Sequence, residues 1–180
     1  MTADDVVWVF DGDDGRTDVL MALVAQQLRT LDQLLPEDQE DPLEQLAAEL
    51  SERPVELLES NPVLARLFPP ALAEADDADE FRRAAIGQQA RARLDAGRTV
   101  LSDCAVAEDD LVGVPQDHLD AWIQTLGGLR AAWIVELTGS DDRMASPTPA
   151  DVRGNPTAAA VCDWLGWVLE DALQAHMHQP

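Results

Sequence analysis

The sequence contains no lysine and no tyrosine, and its aromatics are five tryptophans and three phenylalanines. Two cysteines, Cys104 and Cys162, are too few for the disulfide framework of a small secreted domain. No apolar run approaches the ~18 residues that span a bilayer. The opening stretch from Met1 to Asp5 lacks the basic and apolar regions of a signal peptide. The cytoplasm is therefore the expected compartment, and no membrane association is expected. Positive charge is scarce: 12 arginines face 35 acids, for a net charge of −23. Such a surface repels nucleic acid and anionic membranes at ordinary salt, so direct nucleic-acid binding is not expected. There is no phosphate-binding glycine loop, no Gly-x-Ser-x-Gly and no basic patch with interleaved aromatics. The chain therefore reads as a non-enzyme with no cofactor and no metal.

What is present fits a globular protein. Apolar residues make up 46% of the 180, ordinary for a folded chain. That length suits one domain over 1–180 and buries a core without staples. The acids crowd the front: residues 1–60 hold 16 acids against three arginines. A GC-rich genome explains the arginine-for-lysine usage; adaptation to high salt is the alternative.

The patterning is mainly helical, a compact bundle of about five or six helices with two short strands. Val6 to Phe10 is a β-branched and aromatic run closed by the acidic turn Asp11-Gly-Asp-Asp-Gly15. That turn resembles a calcium loop only in part: Gly15 and Ala22 stand where the fifth and twelfth ligands belong. Thr17 or Asp18 is placed to cap a helix to about Leu35, with Leu20, Val24, Leu28, Leu31 and Leu35 on one face. Residues 36–42 form an acidic loop, and short helices follow from Pro42, near Pro54 and from Pro62. A long helix from about Asp76 to Leu101 is expected to turn Phe81, Ala85, Gln88, Ala92 and Leu101 inward, with Gly97 as a point of interruption. Residues 111–114 make the second strand, placed to pair with 6–10. Asp117 is placed to cap the next helix, whose stripe of Leu119, Trp122, Ile123, Leu126, Leu129, Trp133 and Leu137 is the strongest in the chain. Gly139 ends it. Residues 140–155 read as loop. Asn155-Pro156 opens the last helix, and 176–180 as a frayed tail.

Few residues invite a chemical reading. His118, at a helix start, reads as solvated or capping rather than as a base lacking a pocket. His176 and His178 lie in the tail, at a spacing that points their rings apart on a helix. Cys104 and Cys162 read first as small buried hydrophobes and second as a redox pair, which needs Cα atoms within ~7 Å. The tryptophan stripe reads first as core and second as interface. Arg130 on that helix is expected to snorkel or to pair with Asp163 or Glu80. The one arginine cluster, 82, 83, 91, 93 and 98, contains Asp95.

Four stretches, in this order, resemble a known family: Pro62 to Pro69 (PVLARLFP), Asp79 to Arg83 (DEFRR), Asp120 to Arg130 (DAWIQTLGGLR) and Asp163 to Glu170 (DWLGWVLE). The family is an actinobacterial one, domain of unknown function number two thousand and seventeen, whose genes tend to lie beside that of the Clp protease adaptor. The resemblance covers nearly the whole chain. This chain departs from it at Gly127-Gly128, where the family tends to have Asn-Asp, at Ala131-Ala-Trp133, and at Cys162 in place of an aromatic. The resemblance implies a helical cytoplasmic protein without established enzymatic activity. Some relatives are described as transcriptional regulators of oxidative stress.

The sequence thus supports a regulatory or adaptor-like protein-binding module, with the transcription or proteolysis machinery as partner. A redox-responsive transcriptional regulator acting through protein partners is the alternative, and an enzyme with a cryptic site the second. Candidate partner-binding residues are Phe81, Arg82, Asp120, Trp122, Arg130, Trp164 and Trp167; candidate redox residues are Cys104 and Cys162. Homodimerisation through the 116–138 and 156–175 helices is a further option.

Overall fold

A computed structural model describes residues 6–36, 41–49, 53–69 and 78–178, apart from the side chains of 45, 46, 48, 49, 53 and 78–84. Among the described residues are eight α-helices and two strands. The strands β1 (Val6–Asp11) and β2 (Leu111–Pro115) pair antiparallel, as their β-branched runs predict. Phe10 sits opposite Val112 and Trp8 opposite Val114, with an irregularity between Val6 and Trp8. Alternation buries Trp8 and Phe10 and leaves Val9 exposed.

The helices are α1 (Arg16–Asp32), α2 (Pro42–Glu49), α3 (Arg53–Ser60), α4 (Pro62–Leu67), α5 (Ala78–Cys104), α6 (Gln116–Thr138), α7 (Pro149–Gly154) and α8 (Pro156–Met177). None among the described residues is long and apolar enough to cross a membrane. Helix α1 starts less than one turn earlier than its hydroxyl and carboxylate suggest. Gly15, at φ +79°, is its N-cap, and Thr17 lies buried inside the first turn. Only glycine takes that backbone position without strain. Pro115, not Asp117, precedes α6, and no side chain caps it. Within 140–155, which reads as loop, α7 forms. Thr148 Oγ1 accepts from the Asp151 N–H, and the Asp151 carboxylate accepts from the Thr148 N–H, a reciprocal capping box. Asn61 and Asn155 cap α4 and α8, and Gly139, at φ +66°, ends α6.

The main core joins the sheet to α1, α5, α6 and α8 around Trp122, which is fully buried. Leu119, Leu126 and Leu129 of the α6 stripe are buried with it, and Ile123 and Trp133 are half-buried. A second cluster gathers Leu31 and Leu34 with α3, α4 and the middle of α5. The third packs Ile134 and Leu137 of α6 against Ala158, Ala159 and Cys162 of α8. Helices α6 and α8 run antiparallel, because Ile134 shares a cluster with Ala158 while Asp120 meets His176.

Helix α5 is rotated from the expected face. Ile86, Ala90, Leu94 and Val100 point inward, while Gln88 and Ala92 are exposed. Gly97 does not interrupt it. A Cβ there would stand 2.6 Å from Leu28 Cδ2, so this glycine brings α5 close to α1.

Candidate functional site

Three arrangements hold the polar chemistry of the described residues. The first is internal. Asp103, 8% exposed, sits one residue before the C-terminal end of α5. Its Oδ2 accepts from Trp122 Nε1 at 2.9 Å, and its Oδ1 lies 3.0 Å from His118 Nδ1. The carboxylate is thereby held by an indole and an imidazole from successive turns of α6. Sequence reading missed Asp103, since nothing in the local pattern marks it as an inward-facing acid. His118 therefore pairs with Asp103 and not with its sequence neighbours Asp117 and Asp120. Nearby, Trp8 Nε1 donates to Asp171 Oδ2 at 2.8 Å, tying β1 to α8.

The second arrangement is the cysteines. Cys104 packs in the main core near Trp122, and Cys162 in the third cluster level with Ile134. About 12 residues of helix, roughly 18 Å at 1.5 Å per residue, separate those levels along α6. That span exceeds what a disulfide bridges, so the fold does not bring the candidate redox pair together. Burial, and then the adjacent Asp103, push the Cys104 thiol up to about 12. Burial also raises Cys162, against the opposing pull of Arg130. Both shifts disfavour the thiolate, the reactive form of a cysteine.

The third arrangement is a groove of about 510 Å³ bounded by α4, α5, α6, α8 and the segment before α7. Arg66, Arg93, Arg130 and Arg143 all line it, four of the chain's 12 arginines. No acidic side chain of the described residues lines it. Arg66 donates to the carbonyls of Asp142, Arg143 and Ala145, which fixes the segment after α6. Arg93 donates to the Leu67 carbonyl at 3.2 Å and stacks 5.4 Å above the Phe68 ring. It is half-buried, and burial lowers its pKa. Arg130 and Arg143 are exposed at the groove's margin. Among the described residues none of the four meets a carboxylate within 4 Å; Arg98 does, at Asp95. Arg130 is not paired with Asp163, and the Glu80 side chain lies outside the described residues. Arg130 runs instead over Gly166, where a Cβ would stand 3.0 Å from its Nε.

Of the other residues singled out from the sequence, Trp122 is core and Trp164 half-buried, its Nε1 buried without a hydrogen-bond partner. Asp120 faces His176 at 3.6 Å, away from the groove. Trp167 is 63% exposed, next along α8 to the glycine that Arg130 covers. The side chains of Phe81 and Arg82 lie outside the described residues. The groove itself was not legible, because its arginines come from four separate segments.

No curated protein and no solved structure matches this chain. Residues 1–176 match the family described as "Domain of unknown function (DUF2017)". That match spans the sheet, the groove and nearly all of α8, and this chain belongs to that family.

Proposed function

We propose that the protein is a binding module rather than an enzyme, regulatory or adaptor-like, and that it docks on another protein through α8 and the adjoining edge of α6. The observation that carries this reading is Trp167. It is 63% exposed, whereas Trp8 and Trp122 are buried and Trp133 and Trp164 half-buried. Arg130 lies against the neighbouring Gly166. Tryptophan and arginine are among the residue types that dominate binding energy at protein interfaces. The transcription and proteolysis machineries are the partners the reading favours. The redox-responsive alternative needs a thiol poised to ionise, and the raised pKa of Cys104 weighs against it.

The test is affinity capture of the tagged protein from its own cells beside Trp167→Ala, followed by binding measurements with the purified partner. A partner from either machinery that binds at least tenfold more weakly to Trp167→Ala supports the reading. A partner that both proteins bind equally, or no specific partner, overturns it.

A further inference from the structure

We propose that the arginine-lined groove is a binding site for a small polyanion, a molecule of nucleotide size bearing two or more phosphate groups. This goes beyond the docking surface at Trp167 and stands without it.

The groove carries a charge imbalance. A chain with 35 acids and 12 bases has carboxylates in surplus for every arginine. Yet Arg66, Arg93, Arg130 and Arg143 converge on one groove with no acidic side chain of the described residues in its lining. Four like charges in one concavity repel one another, and desolvation adds to that cost at half-buried Arg93. Among the described residues Arg93 is offset by one carbonyl and a ring face. A bound anion removes the imbalance.

The geometry selects among anions. Two of the guanidinium groups are preset: Arg66 by three carbonyls, Arg93 by Leu67 and Phe68. Two are exposed and meet no carboxylate among the described residues, Arg130 and Arg143. Planar guanidinium forks bind phosphate oxygens in pairs, and preset donors lose little entropy on doing so. Four positive charges match a diphosphate better than a simple dicarboxylate. The volume of about 510 Å³ fits one small molecule and exceeds what a bare diphosphate fills. Ile123, Ile134 and Leu169 on the wall offer apolar contact to the ligand's organic part. The net charge of −23 disfavours a nucleic-acid strand or an anionic membrane as occupant, because both extend far beyond the groove into the acidic surface.

The test uses inorganic pyrophosphate as the probe, titrated calorimetrically into the full chain at low salt, with citrate as the carboxylate comparison. Saturable one-site binding that weakens steeply with added salt is expected. It should be at least tenfold weaker in the double variant Arg130→Ala/Arg143→Ala, whose melting temperature should match the parent's because both side chains are exposed. Trp167→Ala should bind pyrophosphate as the parent does, which separates this site from the protein-docking reading. Absence of saturable binding at millimolar pyrophosphate overturns the site. So does equal binding by the double variant. Citrate binding as tight as pyrophosphate overturns the phosphate assignment.

Discussion

Trp122 donates its indole N–H to Asp103 Oδ2 at 2.9 Å, and that bond lies inside the main core, where the indole is fully buried. Removing the carboxylate in Asp103→Ala leaves a buried N–H without its acceptor and His118 without its partner. A loss of about 1–3 kcal/mol is expected. Asp103→Asn keeps an oxygen for the indole and should lose less. Denaturant unfolding of the three proteins measures both.

The thiol of Cys104 carries a pH signature. Its pKa stands at about 12 in the fold against an ordinary value of 9.0. Above pH 9 the unfolded chain releases this proton while the folded chain keeps it, so ionisation favours unfolding. The stability is intact below pH 9 and falls through the window from 9 to 12, by about 1.4 kcal/mol per pH unit from this group. Cys104→Ala should flatten that part of the stability-against-pH curve. A slope unchanged by the substitution would contradict the assignment.

Two glycines of α6 should respond oppositely to alanine. Gly139 ends the helix at φ +66°, where a side chain is strained, and Gly139→Ala should cost about 1 kcal/mol. Gly127 lies mid-helix with open space where a Cβ would stand, and Gly127→Ala should gain up to ~1 kcal/mol. Thermal melts of the pair check the sign.

Tryptophan fluorescence should report Trp167 above all. Trp8 and Trp122 are buried, so acrylamide should quench chiefly the exposed indole. Trp167→Phe should remove most of the quenchable signal; a variant quenched as strongly as the parent would place another tryptophan at the surface.

Much of the scaffold was written in local patterns. The β-branched run at Val6 and the shorter one at Leu111 mark both strands, and the apolar spacing of Leu20, Val24 and Leu31 marks the inner face of α1. What escaped was decided by tertiary contact. The face of α5 is set by Ile86, Ala90 and Leu94, whereas a reading phased on Phe81 turns Gln88 and Ala92 inward. Helix α7 carries its signal in Thr148 and Asp151, three residues apart, within a stretch so rich in Ser, Asp, Pro and Gly that it reads as loop. Asp103 gives no local sign of its burial, because Trp122 and His118 reach it across the turn and strand that separate α5 from α6. The groove arginines are scattered from 66 to 143, and only packing makes them neighbours.

The bond from Trp8 to Asp171 closes a loop of 163 residues. A strand near the start of the chain thus waits for a helix near its end. At synthesis rates of about 5–20 residues per second, that interval is roughly ten to thirty seconds. Throughout it β1 lacks its anchor on α8, and until Leu111–Pro115 is made it also lacks its hydrogen-bonding neighbour β2, so its Val-Val-Trp-Val-Phe run is an adhesive edge. The acidic residues that crowd the first third of the chain carry a second consequence there: like charge keeps nascent copies on neighbouring ribosomes from pairing strand to strand before the fold closes.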